Sequence, residues 1–295
     1  MDWVIINRIA VQESKLQTTA EIYALDYLSL LVVSGRDRVD FLQGQLTCDM
    51  RNFPASSSCC AAFCNAKGRV ISTLLVIYMP EAFLLIMPAD LREAVSSKLQ
   101  RYIMRSAVNI NQPAPALAIL GCYDPGSIRD KDICSQLPGE TPRYLCISAH
   151  PPANVENDSS AWRYQDIMNG FPWFGASQSE LYTPQMLGID RLGGVSFNKG
   201  CYTGQEIIAR THYLGKAKRS LRIGAYPAAA EEPEIGAALL DGANRQAVGA
   251  ILNTACYNGN IYLLMVLNNP IQETDSATLI MDNGKGAAVN ITALQ

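Results

Sequence analysis

Three apolar runs, at 58–63, 70–78 and 83–87, follow one another with only short polar links between them. The first link reads Asn65-Ala66-Lys67-Gly68. An Asn and a Gly across so short a connection mark a β-hairpin. Downstream, Asp90 followed by Glu93 has the form of a helix capping box. Leu91, Val95, Leu99, Tyr102 and Ile103 then fall on one helical face. A buried strand is expected over 27–33, and Val39, Leu42 and Leu46 after it recur at helical spacing. Further strands are expected at 108–110, 115–122 and 144–147. Hairpins alternating with helices place the chain in the α+β class, not among doubly wound parallel sheets.

The character changes after Gly215. Lys216, Lys218, Arg219 and Arg222 come close together, followed by short apolar runs at 221–226, 236–240, 247–252, 261–267, 278–281 and 287–291. Asn258-Gly259 between two of these runs is a hairpin turn. Such short, regularly spaced strands predict a small antiparallel β-barrel over 216–295. The α+β region over 1–215 precedes it, as two intertwined lobes with the smaller around 51–110. The basic cluster either meets ligand carboxylates or stands on a solvated barrel edge.

Composition narrows the function classes. The chain has 295 residues, 48% apolar and 17% charged, as in soluble globular proteins. A net charge of −3 argues against a nucleic-acid coat, so no direct nucleic-acid binding is expected. Residues 1–17 scatter Asp2, Arg8, Glu13 and Lys15 among apolar residues, and no run is long enough to span a bilayer. No signal peptide and no membrane are therefore expected, and the setting is read as cytoplasmic. The nine cysteines lack a framework spacing and are read as reduced. Cys59, Cys60 and Cys64 cluster without forming a C-x-x-C pair, and only two histidines are present, so no built-in metal site is expected.

The densest chemistry lies at Lys199-Gly200-Cys201-Tyr202-Thr203-Gly204-Gln205-Glu206. Thr203 and Glu206 have capping-box spacing, which would place Cys201 just before a helix N-terminus. A helix end and Lys199 both favour a thiolate, with His212 as a further cation beyond the short helix. Gly200 and Gly204 imply a tight backbone path or the close approach of another segment or a ligand. Cys201 is thus either a reactive thiol or a packing residue.

This octapeptide resembles the signature of YgfZ-type folate-binding proteins, relatives of the glycine-cleavage T-protein. The resemblance extends to Phe41-Leu42-Gln43-Gly44-Gln45-Leu46-Thr47 with Asp49, to Arg163 ahead of Gly170-Phe171-Pro172, and to Pro184-Gln185-Met186-Leu187. It implies a three-lobed aminomethyltransferase-like fold around a site for tetrahydrofolate or a derivative. Trp162, Phe171, Trp173 and Tyr202 would line the pterin slot, though each ring equally suits a core. Arg163, Gln185, Lys199 and Glu206 would supply polar contacts, and Cys201 would be the working thiol. The family resemblance further implies support of iron–sulfur cluster assembly or repair, with indirect partners such as tRNA-thiolating enzymes.

In the T-protein a catalytic aspartate stands in a G-G-I-L-D-D-L stretch. Aligned on its glycine and leucine, this chain has Ser72 and Thr73 where the aspartates belong. A hydroxyl does not replace a carboxylate in acid–base chemistry at neutral pH. A folate-binding accessory protein is therefore favoured over an active aminomethyltransferase. A thiol redox protein on the same fold is a third reading, weakened by the lack of a nearby resolving cysteine in sequence.

Overall fold

Strand β1 (Ile22–Ala24) and β2 (Leu28–Ser34) lead into helix α1 (Arg38–Gln43). Next come β3 (Ser58–Cys64), β4 (Val70–Met79) and β5 (Ala82–Pro88), then α2 (Arg92–Ile103) and β6 (Asn109–Asn111). Strands β7 (Ala118–Cys122), β8 (Ile133–Leu137), β9 (Arg143–Ser148) and β10 (Val155–Glu156) follow, and α3 (Ser160–Met168) and α4 (Gln205–Leu214) come after them. The last strands are β11 (Arg219–Pro227), β12 (Ala238–Asp241), β13 (Ala247–Tyr257), β14 (Asn260–Asn268), β15 (Leu279–Met281) and β16 (Asn290–Ala293). The computed structural model describes residues 22–53, 58–114, 116–128, 132–137, 142–215, 217–228, 232–241, 244–269, 279–281 and 289–293. The reading of residues 1–17 and that of Lys216 lie outside them.

These strands form three sheets. The first has the order β10-β1-β7-β9-β8, with β1 and β10 parallel and the rest antiparallel. The second, β3-β4-β5-β2-β6, is antiparallel throughout and contains the meander read from residues 58–87. Its turn works as the sequence suggests: Asn65 Oδ1 accepts from the N–H groups of Lys67 and Arg69, and Gly68 takes φ +67°. The third, β15-β12-β13-β14-β11-β16, is also antiparallel. Asn258 and Gly259 between β13 and β14 both have positive φ, as a type I′ turn demands. Among the described residues β15 and β16 are the two edges of this sheet, so a closed barrel is not seen there.

One core joins the second sheet to α3 and the third. It includes Leu30, Leu74 and Leu85, then Trp162 and Ile167, then Leu252 and Leu264. Each leucine buried in this way contributes about 2 kcal/mol. Tyr164 of α3 stacks on Tyr257 at 4.6 Å and meets Tyr262 edge-on at 4.5 Å, which fastens α3 to β13 and β14.

Two expectations are corrected. Asp90 does not cap α2: it lies in a short 3-10 turn, and its carboxylate accepts from the Ala176 N–H at 2.7 Å. The cysteines are not all reduced, because Cys134 and Cys146 form a disulfide. They face each other across β8 and β9, a register that the unread stretch before β9 concealed. No helix among the described residues is long and apolar enough to cross a membrane.

Candidate functional site

The segment after α1 is a clip. Gln43 accepts the Met50 N–H at 2.7 Å and donates its amide to Asp49 at 3.1 Å. Asp49 also accepts from the Asn52 side chain at 2.8 Å and from the N–H groups of Arg51 and Asn52. The Asn52 bond leads these contacts in lowering the Asp49 pKa. Thr47 is fully buried and ties three segments together. Its hydroxyl accepts from the Ala62 N–H at 2.8 Å and donates to the Gly194 carbonyl at 2.6 Å, while its own carbonyl accepts from the Ser196 N–H. Thr47 entered the sequence reading only as a letter of a motif.

Residues 199–204 rest on this clip. Lys199 is only 8% exposed, and its ammonium donates to the carbonyls of Leu46 and Cys48, both at 2.7 Å. The same ammonium lies 4.9 Å from the centre of the Tyr202 ring. Burial draws its pKa down to about 8, against the pull of Cys48 and Asp49. The Thr203 N–H donates to the Gly44 carbonyl at 3.2 Å. Gly204 has φ +84°, and a Cβ there would stand 2.5 Å from the Asn65 carbonyl and 2.9 Å from Gly68 Cα. The close approach expected at this glycine is therefore that of the β3–β4 turn. Cys201, two residues beyond the buried Lys199, is exposed.

The capping box at α4 does not form. The N-cap is Gly204, with no side-chain cap, and Glu206 instead pairs with Arg210 one turn on at 2.9 Å. The left-handed backbone forced by the hairpin contact leaves Thr203 outside the capping position. Cys201 thus precedes the helix by several residues. His212 stacks on Phe197 at 3.7 Å.

The remaining expected residues are placed as follows. Gln185 donates its amide to the Ile208 carbonyl at 2.8 Å. Its Oε1, the Tyr202 hydroxyl, Gln45 Oε1 and Asp190 Oδ1 are buried without a hydrogen-bond partner. Trp162 is 1% exposed and lies flat over Gly121, where a Cβ would come within 2.6 Å of the indole. Phe171 is equally buried, 4.7 Å from Trp173. Both rings are packed in the core. Half-buried Arg163 holds its guanidinium 4.0 Å from the centre of the Tyr27 ring. Beside it, Arg143 and Asp166 form a buried ion pair at 2.7 Å, and the Tyr27 hydroxyl donates to the second Asp166 oxygen at 2.9 Å. That network escaped the sequence reading, where an arginine heading an apolar strand was its sign. Arg219 and Arg222 of the basic cluster bond to Asn268 and Ser220 on the third sheet.

A cleft of about 370 Å³ opens beside the clip, lined by Asp49, Asn52, Cys59, Val195, Phe197 and Asn198. No cluster of three or more His, Cys, Asp or Glu side chains among the described residues is arranged to hold a metal. Ser72 and Thr73 are fully buried, their hydroxyls donating to the carbonyls of Thr73 and Pro172, each at 2.9 Å.

No family model matches the chain. It is 32% identical over 298 residues to the tRNA-modifying protein YgfZ of Yersinia pestis (strain Pestoides F), covering 89% of this chain and 88% of that one. The chain belongs to the YgfZ family. The YgfZ protein of Serratia proteamaculans (strain 568) is 29% identical over 297 residues, covering 88% of each. In structure, this YgfZ-family chain is similar to the glycine cleavage system aminomethyltransferase T of Bartonella henselae. The TM-score is 0.71 over 93% of this chain and 84% of that one, at 14% identity. The likeness establishes an aminomethyltransferase-like α+β fold.

Proposed function

We propose that the chain is a tetrahydrofolate-binding accessory protein of tRNA modification that presents Cys201 as its working thiol. The relatives are named as tRNA-modifying proteins, and the fold is that of an aminomethyltransferase. One observation carries the reading: a buried lysine fastens residues 199–204 to the clip while the thiol two residues on is exposed. Burying an ammonium costs several kcal/mol unless its bonds are made. That expense suits a segment whose position matters.

In this reading Tyr202 and Gln185 meet the edge of tetrahydrofolate or a derivative, and Arg163 meets its carboxylate tail. Lys199 holds the loop and Glu206 steadies α4 through Arg210. Trp162 and Phe171 act through packing, by fixing α3 and hence Arg163. Residues 1–215 form the folate-binding region, and 216–295 close into a small barrel. The protein works in the cytoplasm, supporting iron–sulfur cluster assembly or repair in clients such as tRNA-thiolating enzymes, without itself contacting nucleic acid. Folate titration of the wild type and Cys201→Ser, with complementation of cluster-dependent tRNA modification, tests the proposal. Equal folate affinity with loss of complementation supports it. Full complementation by Cys201→Ser, or no folate binding by the wild type, overturns it.

The likeness to an aminomethyltransferase favours a second reading, folate-dependent aminomethyl transfer. Ser72 and Thr73 weigh against it, since neither supplies a carboxylate and both hydroxyls are engaged.

A further inference from the structure

We propose that Cys122, Cys134 and Cys146 form an S-thiolation site at the edge of the first sheet, where a small disulfide is captured on Cys134 although the free thiol is Cys122. Strand register brings the three sulfurs together. Cys134 of β8 lies opposite Cys146 of β9 and is joined to it by the disulfide. On the other side of β9, Cys146 lies opposite Leu120 of β7, and Cys122 is its diagonal neighbour on the same face. The Cys122 sulfur stands 3.7 Å from the Cys146 sulfur. A free thiol is therefore in contact with one end of a disulfide. Separations of 24 and 12 residues hide this cluster from a reading of the sequence.

Access differs among the three. Cys122 and Cys146 are buried in the small apolar cluster of Ile22, Leu120 and Ile128. Cys134 is half-buried, on a strand that is an edge of the sheet. A reagent from solvent thus reaches one end of the disulfide, while the free thiol touches the other. Burial, aided by Asp124, pushes the Cys122 pKa up to about 11. The thiol is therefore kept protonated at rest, and exchange is slow, on the scale of uncatalysed disulfide rearrangement.

The exchange needs no outside oxidant or reductant. The Cys122 sulfur, as thiolate, attacks Cys146 Sγ. The bond from Cys146 to Cys134 breaks, and Cys134 leaves as a thiolate at the sheet edge. That thiolate attacks one sulfur of R–S–S–R, forming Cys134–S–S–R and releasing R–S⁻, which takes the proton that Cys122 gave up. Two disulfide bonds and one thiol are present before and after. The covalent tie moves from the β8–β9 pair to the β7–β9 pair, and the edge strand β8 is left without one.

The test exposes the full chain, purified without reductant, to bis(2-hydroxyethyl) disulfide overnight. Non-reducing peptide mapping by mass spectrometry then locates the adducts and links in the wild type and Cys122→Ser. The wild type should carry a hydroxyethylthio group on Cys134 together with a Cys122–Cys146 link. Cys122→Ser should keep the Cys134–Cys146 link, with the Cys134 adduct at roughly a tenth of the wild-type level or less, since no third sulfur displaces Cys134. An adduct on Cys122 beside an intact Cys134–Cys146 link, or three unchanged sulfurs in the folded wild type, would overturn the proposal. So would a Cys134 adduct that leaves Cys122 and Cys146 both free, or one formed equally in both proteins. Should Cys122→Ser fail to fold, the wild-type map alone still decides.

Discussion

At the scale of single residues, Lys199 makes the strongest statement. Its pKa in the fold is about 8, against an ordinary value of 10.5. The unfolded chain therefore binds more protons between those two values, and stability rises with pH across the window. Relative to Lys199→Met, the wild type should gain up to about 3 kcal/mol as pH rises from below 8 to near 10.5, measured by urea unfolding. A constant difference across that range would show that the ammonium is not desolvated. Alkylation gives a second residue-scale prediction. Cys201 should label with iodoacetamide faster than the other free cysteines, with exposed Cys256 its nearest rival and Cys60, Cys64 and Cys122 protected by burial. Labelling of Cys201 at the pace of the buried group, read by peptide mapping, would remove it as a working thiol. Residue types were readable in the sequence, but their duties often were not. Lys199 was expected to touch a ligand or tune Cys201, yet its head group serves two carbonyls contributed by residues far away in the chain.

Among elements, those with local causes were legible. Asn258-Gly259 specifies its own turn by the backbone freedom it needs, and the β3–β4–β5 meander follows from short links between apolar runs. Helix α3 and strands β8 and β10 were missed, because each is short and completes its apolar face only against a partner. The two capping boxes failed for a related reason. Their side chains or backbones are claimed by distant segments, Asp90 by Ala176 and Gly204 by the hairpin at Asn65. The two glycines around Cys201 provide a contrast within one loop. Gly204→Ala meets both a left-handed backbone and the Asn65 carbonyl, so it should cost about 1–3 kcal/mol. Gly200→Ala has nothing within 4 Å of its new methyl group and should be close to neutral. Thermal melts of the two variants check this, and equal losses would mean that the hairpin contact is not holding the loop.

For the molecule as a whole, fold and chemistry separate. An aminomethyltransferase-like frame carries buried Ser72 and Thr73, with their hydroxyls bonded to backbone carbonyls. The purified protein should show no aminomethyl transfer in a glycine-cleavage assay with the lipoyl carrier, and measurable turnover would reinstate the enzyme reading. The surroundings of the proposed site residues were least legible, because Arg163 of α3, Gln185 and Lys199 each meet partners distant in the chain, and no local pattern encodes that. The clip also has a bearing on biosynthesis. Every anchor of the Cys201 loop noted above, the carbonyls of Gly44, Leu46, Cys48 and Asn65, belongs to the early part of the chain. During translation the berth is therefore made long before its occupant leaves the ribosome, and closing so long a loop is slow relative to forming the local hairpins. In pulse-labelled hydrogen exchange during refolding, amides of 200–208 should gain protection after those of β3–β5. The thiol would then be displayed in its final setting only by chains whose second sheet is already complete, so truncated or half-folded copies would not present it.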